Sequence, residues 1–133
     1  MTRDEAAAFL DKETRGILST LLPDGNSHPT PVVFAPLNGD IEISSSRDRV
    51  KTRNLEKDPR ATLCVIPEAF RPYLCVEGRI TLVDDPDGQK NLALYRRITG
   101  KDPDDTAEYL EAMKKEKRLI LRLSMDRLYP LTG

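Results

Sequence analysis

The sequence contains one histidine, two cysteines and no apolar run approaching the ~20 residues that a membrane span needs. Each scarcity excludes a class of function. His28 precedes Pro29 with no second ligand nearby, which suits a surface or hydrogen-bonded histidine better than a metal ligand or a member of a hydrolytic triad. Cys64 and Cys75 lack a metal-ligand spacing and fall on adjacent predicted strands, so in a cytoplasmic protein they are expected as buried free thiols rather than a disulfide. No glycine-rich phosphate loop, paired Cys-x-x-Cys, Gly-x-Ser-x-Gly or His-Glu-x-x-His occurs. Catalysis by side chains alone is therefore poorly provided for, and chemistry would come from a cofactor that the protein binds and orients. Residues 1–5 lack a signal-peptide profile, so a cytoplasmic location without a membrane partner is expected. An excess of either charge is also missing: 21 Lys and Arg stand against 22 Asp and Glu, a net charge of -1. That balance argues against a nucleic-acid surface, for which a clustered basic excess is the usual footprint.

What is present fits one domain over residues 1–133, with 38% hydrophobic and 32% charged residues and hence a compact core or one completed by a second subunit. Thr2 can cap a first helix with Glu5 as its capping-box partner, turning Ala6, Phe9 and Leu10 inward. Residues 17–22 read as a strand, and Pro23 to Asn26 as a tight turn into a second strand over about 28–35. Pro29 and Pro31 are unusual there, because neither can donate a ladder hydrogen bond. They leave backbone groups free beside Thr30, either for a ligand edge or simply for a protected edge strand. Leu37 to Asp40 is a further hairpin turn, and the alternation of residues 40–46 predicts a third strand. Residues 61–66 and 73–83 give a fourth and a fifth, the latter with Gly78 as a bulge or bend. Helices are expected up to Thr99, ended by Gly100, and then after a cap at Asp104 or Asp105, with charges of alternating sign read as solvated faces. Leu119, Leu121 and Leu123 mark a sixth strand able to close a small antiparallel barrel.

The most informative stretch follows the third strand. From Arg47 to Arg60 there are six basic residues, Arg47, Arg49, Lys51, Arg53, Lys57 and Arg60, against three acidic ones. With Ser46 as N-cap, a helix over about 47–56 would place Arg47 and Arg49 in its first turn, where the dipole disfavours cations by roughly 0.3 to 1 kcal/mol each. Free backbone amides, serine hydroxyls and long cations make a cradle for a phosphate or another oxyanion. The plainer alternative is a solvated amphipathic helix with Val50 and Leu55 turned to the core.

In this order, the hairpin, the basic strand-to-helix corner, the long strands and the two late helices resemble the split β-barrel superfamily of pyridoxamine 5'-phosphate oxidase-like flavin-binding proteins. More narrowly the sequence is similar to the B branch of the flavin/deazaflavin oxidoreductases, which use coenzyme F-420. The residues carrying the resemblance are Asp24 and Gly25, Pro29 to Val32, Ser44, Arg49 to Leu55, Asp58 to Arg60, Glu77 and Gly78, Tyr95 and Arg96, and Tyr109 with Ala112 and Met113. It implies a β-rich α+β fold, an antiparallel split β-barrel of six or more strands with peripheral helices. It further implies that Arg49, Lys51 and Thr52 hold the cofactor phosphate, that Ser44 faces the same group, and that Thr30, Pro31 and Val32 lie along the tricyclic ring. Tyr73 would approach from the other subunit of a homodimer with its sites at the interface. Coenzyme F-420 is favoured over FMN because Arg47, Arg53 and Lys57 offer its acidic tail a basic exit. The expected function is hydride transfer from the reduced deazaflavin to an unsaturated small molecule, the alternatives being a non-catalytic carrier of F-420 and an FMN-dependent reductase. The arginine- and histidine-bearing C-terminal substrate segment of the vitamin B6 oxidase has no counterpart after Arg127 to Pro130, so oxidation of pyridoxamine phosphate is not expected.

Overall fold

The computed structural model describes residues 1–131. Its elements run α1 (Arg3–Lys12), β1 (Arg15–Leu21), β2 (Ser27–Leu37), β3 (Asp40–Ser46), α2 (Val50–Lys57), β4 (Arg60–Val65), β5 (Leu74–Val83), α3 (Gln89–Thr99), α4 (Thr106–Lys115), β6 (Arg118–Ser124) and β7 (Arg127–Tyr129). The strands are ordered β4-β1-β2-β3-β6-β5, and β5 returns to β4, which closes a six-strand antiparallel barrel. The expected split barrel with peripheral helices is thus present. The seventh strand, missed in the sequence because it is only three residues long, adds to β5 through Cys75↔Tyr129, Val76↔Leu128 and Glu77↔Arg127.

Period-two patterning builds the interior. Leu18, Phe34, Ile41, Ile43, Leu63, Leu119, Leu121 and Leu123 are fully enclosed in one cluster, each worth about 1.5 to 3 kcal/mol relative to exposure. Ile120 points outward and is buried all the same, because Leu94 of α3 packs over it beside Ala35 of β2. The same helix covers Glu42, whose carboxylate accepts from Arg97 at 2.5 Å and from Arg122 at 2.8 and 3.1 Å. Arg97 is therefore not part of a solvated face, in contrast to the sequence reading: a buried carboxylate needs a paired cation.

Local signals were reliable where the bond they describe is local. Thr2 and Glu5 form the reciprocal capping box, and Asp105, rather than Asp104, caps α4. Gly78 sits where β5 passes from β7, along residues 75–77, to β6, along residues 80–83. A Cβ there would lie 1.8 Å from the Ser124 carbonyl oxygen, so only glycine permits the crossing.

The basic corner departs from expectation. Ser46 does not cap a helix; it remains in β3, paired with Arg118 of β6, and α2 begins four residues later with Arg49 in the cap position and no side-chain cap bond. Pairing with a remote strand outweighs the local capping signal. The shift leaves Val50 exposed and buries Thr52, Asn54 and Leu55.

Candidate functional site

The site arises from a break in pairing along β2. Residues 27–33 pair with β1, whereas residues 34–37 pair with β3, so the edge of β2 opposite Ser44–Ser46 has no strand beside it. The Phe34 amide donates to the Thr14 carbonyl on the β1 side at 2.9 Å. Alternation along an antiparallel strand then turns the backbone groups of residues 29, 31 and 33 to the open edge. Two of those three are prolines, so only Val33 has an N–H to turn to that edge, while the carbonyls of Pro29 and Pro31 remain as acceptors.

This gap widens into a cleft of about 770 Å³. One wall is the outer face of β1, β2 and β4, where Ile17, Val33 and Ile66 stay 37%, 47% and 42% exposed alongside Pro31 and Cys64. Gly16 also lines it; a Cβ at that position would meet the Cys64 carbonyl oxygen at 2.8 Å. The far end is cationic, with Arg49 and Lys51 at the start of α2 and Arg118 at the start of β6. Among the described residues neither Arg49 nor Lys51 has a carboxylate within ion-pair distance, and the first turn of α2 holds no acidic residue. Arg118 does hold Glu116, at 2.8 Å. Burial, and then the Arg49 and Arg118 guanidinium groups, press the Lys51 ammonium below the ordinary lysine range. Positive charge thus accumulates at the positive end of a helix, an arrangement that an anion relieves.

Of the residues singled out in the sequence, Thr30, Pro31, Val32, Ser44, Arg49 and Lys51 line this cleft together. Thr52 does not. It is buried, and its hydroxyl donates to the Ser46 carbonyl at 2.7 Å while meeting Ser45 Oγ at 2.8 Å, so it ties α2 to the end of β3 instead of facing the cleft. Tyr73 of the same chain lies elsewhere, in a shallow pocket with Met1, Arg71, Pro72 and Pro130. Neither Arg53 nor Lys57 lines the cleft, and Arg47 is drawn away to Asp84. Sequence reasoning overlooked Arg15, Ile17, Ser45, Ile66 and Arg118. Arg118 is the most consequential of these, because it joins the corner through its register with Ser46 across 72 positions of sequence that carry no local signal.

Two polar details test whether these residues fit a ligand with an anionic end and a flat body. Thr30 Oγ1 is enclosed and has no hydrogen-bond partner among the described residues, and of the three clustered cations only Arg118 has an acidic partner, Glu116. Both fit such a ligand. Burial, followed by the neighbouring Cys75 thiol, pushes the pKa of Cys64 up to about 11, which disfavours its thiolate at neutral pH.

A family model described as pyridoxamine 5'-phosphate oxidase matches residues 2–131. The chain belongs to that family. Among solved structures, a conserved hypothetical protein from Mycobacterium tuberculosis is 26% identical with a TM-score of 0.80, covering 96% of this chain and 82% of its own. An F-420 reductase is 27% identical with a TM-score of 0.71, covering 91% of this chain and 93% of its own. A pyridoxamine 5'-phosphate oxidase-related, FMN-binding protein from Nostoc punctiforme shares the fold at 16% identity, with a TM-score of 0.65 and coverage of 95% and 81%. Within the family the barrel is therefore of the FMN-binding split-barrel type, and the unpaired edge of β2 is where it splits.

Proposed function

We propose that this family member is an oxidoreductase that binds the deazaflavin coenzyme F-420 in the cleft and uses it to reduce an unsaturated small molecule. The observation that carries the reading is the cluster of Arg49, Lys51 and Arg118, short of acidic partners at one end of a cleft that has an apolar wall. It suits a phosphorylated ring system. Similarity to an F-420 reductase over 91% of the chain favours the deazaflavin over FMN.

When bound, the reduced deazaflavin supplies a hydride from its C5. The chain supplies the surroundings. Arg49, Lys51 and Arg118 hold the phosphate by charge-assisted hydrogen bonds, worth about 1.5 to 3 kcal/mol each. Ile17, Pro31, Val33 and Ile66 give the ring an apolar wall that excludes water, while the open edge of β2 offers backbone groups to its rim. Among the described residues no carboxylic acid or histidine lines the cleft, so the proton completing the reduction comes from solvent or from the substrate. A second copy of the chain covers the exposed Ile17, Val33 and Ile66, and brings its Tyr73 to the cleft, giving a homodimer with two sites.

Titration of the purified protein with F-420 and with FMN tests the cofactor. Saturable binding of F-420 is expected, and tight binding of FMN with none of F-420 removes the assignment in favour of an FMN-dependent reductase. The lack of a carboxylic acid or histidine among the described residues that line the cleft also favours a carrier that binds F-420 without turnover. Oxidation of reduced F-420 in the presence of enones, quinones or linear tetrapyrroles decides between carrier and enzyme.

A further inference from the structure

Four hydroxyl side chains meet at the corner, and the protons of three are already committed inside the chain. Asp85 is 4% exposed, and its carboxylate accepts from the amide of Lys90 at 2.9 Å and from the amide and side-chain nitrogen of Asn91, both at 2.8 Å. That fixes the Asn91 amide, because turning it over would set its oxygen against a carboxylate oxygen. Asn91 Oδ1 must then face Ser44, and it can only accept; the Ser44 hydroxyl donates to it at 2.5 Å. Tyr109 holds the same residue from behind by donating to the Asn91 carbonyl at 3.3 Å. What Ser44 has left for the cleft is lone pairs. Thr52 has given its proton to the Ser46 carbonyl, so Ser45, 2.8 Å from Thr52 Oγ1, is the donor in that pair. The Ser46 hydroxyl is different. It lines the cleft in a residue only 6% exposed, and among the described residues it has no hydrogen-bond partner.

We propose that Ser44 and Ser46 divide the reading of the ligand: Ser46 donates to its anionic group, and Ser44, held by Asn91 and Asp85, accepts from a hydroxyl or N–H that the ligand carries next to that group. This rests on the reading of the cleft as a cofactor site, but it changes the part Ser44 plays there. A phosphate oxygen set against Ser44 would meet lone pairs, so the anion belongs with Ser46, Arg49 and Lys51. The ligand class is a polyol phosphoester rather than a bare alkyl phosphate, and Ser44 is the residue that tells them apart.

Two probes test this by fluorescence titration: 5-deazariboflavin 5'-phosphate, and its analogue in which an unsubstituted pentyl chain replaces the ribityl chain. The wild-type protein is expected to prefer the hydroxylated probe by about tenfold, the size of one well-placed hydrogen bond in a site shielded from water. In Ser44→Ala the preference disappears through weaker binding of the hydroxylated probe alone, and in Ser44→Thr, which keeps the hydroxyl, it survives. Ser46→Ala weakens both probes by a similar factor, about five- to tenfold, and leaves the preference intact. Equal weakening of both probes in Ser44→Ala would show that Ser44 donates to the anion or acts only on the fold, and would overturn the proposal. So would a wild-type protein that binds both probes equally, a result that leaves the cofactor reading standing. Failure of the wild-type protein to bind either probe removes the cofactor reading, and this inference with it.

Discussion

Replacing Lys51 by methionine should separate the two roles that its position imposes. The apolar stem of the side chain survives the change, whereas the ammonium is removed. In the free protein that ammonium is a liability: it is half-buried, and Arg49 and Arg118 stand nearby with no acidic residue in the first helical turn. The sign of the linkage follows. A lysine whose folded pKa lies below its unfolded value binds its proton less readily in the native state, so below that folded pKa the protonated form costs stability. Stability then recovers as pH rises from the folded towards the unfolded value. At neutral pH Lys51→Met removes the whole cost. The ligand-free variant should accordingly melt at the wild-type temperature or slightly higher. Affinity for F-420 should move the other way. Loss of a charge-assisted contact of about 1.5 to 3 kcal/mol weakens binding roughly ten- to a hundredfold, and the dependence of affinity on salt becomes shallower. Thermal melts without ligand and fluorescence titrations with it read the two effects separately. Unchanged affinity would place the anion elsewhere, and a melting temperature several degrees lower would make Lys51 a structural residue; either result refutes the reasoning.

Thr52→Val keeps the volume of a buried side chain but removes the 2.7 Å donor to the Ser46 carbonyl and the 2.8 Å partner of the Ser45 hydroxyl, leaving that carbonyl only the longer bonds from the Arg49 amide and Ser45, so chemical denaturation should show a loss of about 1 to 3 kcal/mol. The proposed homodimer is tested by Ile66→Asp, which places a charge on the exposed apolar wall: sedimentation should show a wild-type dimer and a variant monomer, whereas a wild-type monomer overturns the dimer and a variant dimer moves the interface to another face. Arg60 holds the Asp58 carboxyl at about 2 by its hydrogen bonds, so Arg60→Ala should return it towards the ordinary carboxylate range in a titration followed by NMR. The small contribution of that exposed pair to stability is present above the unfolded Asp58 value and fades as pH falls towards 2. Cys64, with a pKa of about 11, should be alkylated by iodoacetamide at pH 8 far more slowly than a free thiol in solution.

The parts of the molecule that could be read in the sequence are those whose causes lie within a few residues of each other. The Thr2 and Glu5 capping box, the hairpin turns before Asn26 and Asp40, and the inward leucines of β6 all follow from neighbouring positions. The basic corner was visible as composition, but its shape was not. Ser46 looks like an N-cap, and it is withheld from that role by Arg118, a residue whose place opposite it depends on the register between β3 and β6. For the same reason the third cation of the cluster was missed, and Arg97, which looked solvated on its helix, proves to be paired with Glu42 beneath it.

Pro29 and Pro31 admitted two explanations, protection of an exposed edge and provision for a ligand, and the geometry of β2 makes them one. A strand that must leave its neighbour to open a cleft necessarily exposes an edge, and every unpaired N–H along that edge is an invitation to pair with another strand. Proline at alternate positions removes those donors, and the β1 ladder is undisturbed because its bonds come from the intervening residues. Beyond Val33 the pairing with β3 resumes, and proline next appears at Pro36, where the same alternation turns the residue away from β3. The prolines therefore mark the length of the opening, and any molecule that lies along it must bring donors for the carbonyls or an apolar face for the rings. A flat heteroaromatic ring with polar groups along its rim meets both conditions at once. An extended peptide strand would find acceptors there and almost no donors.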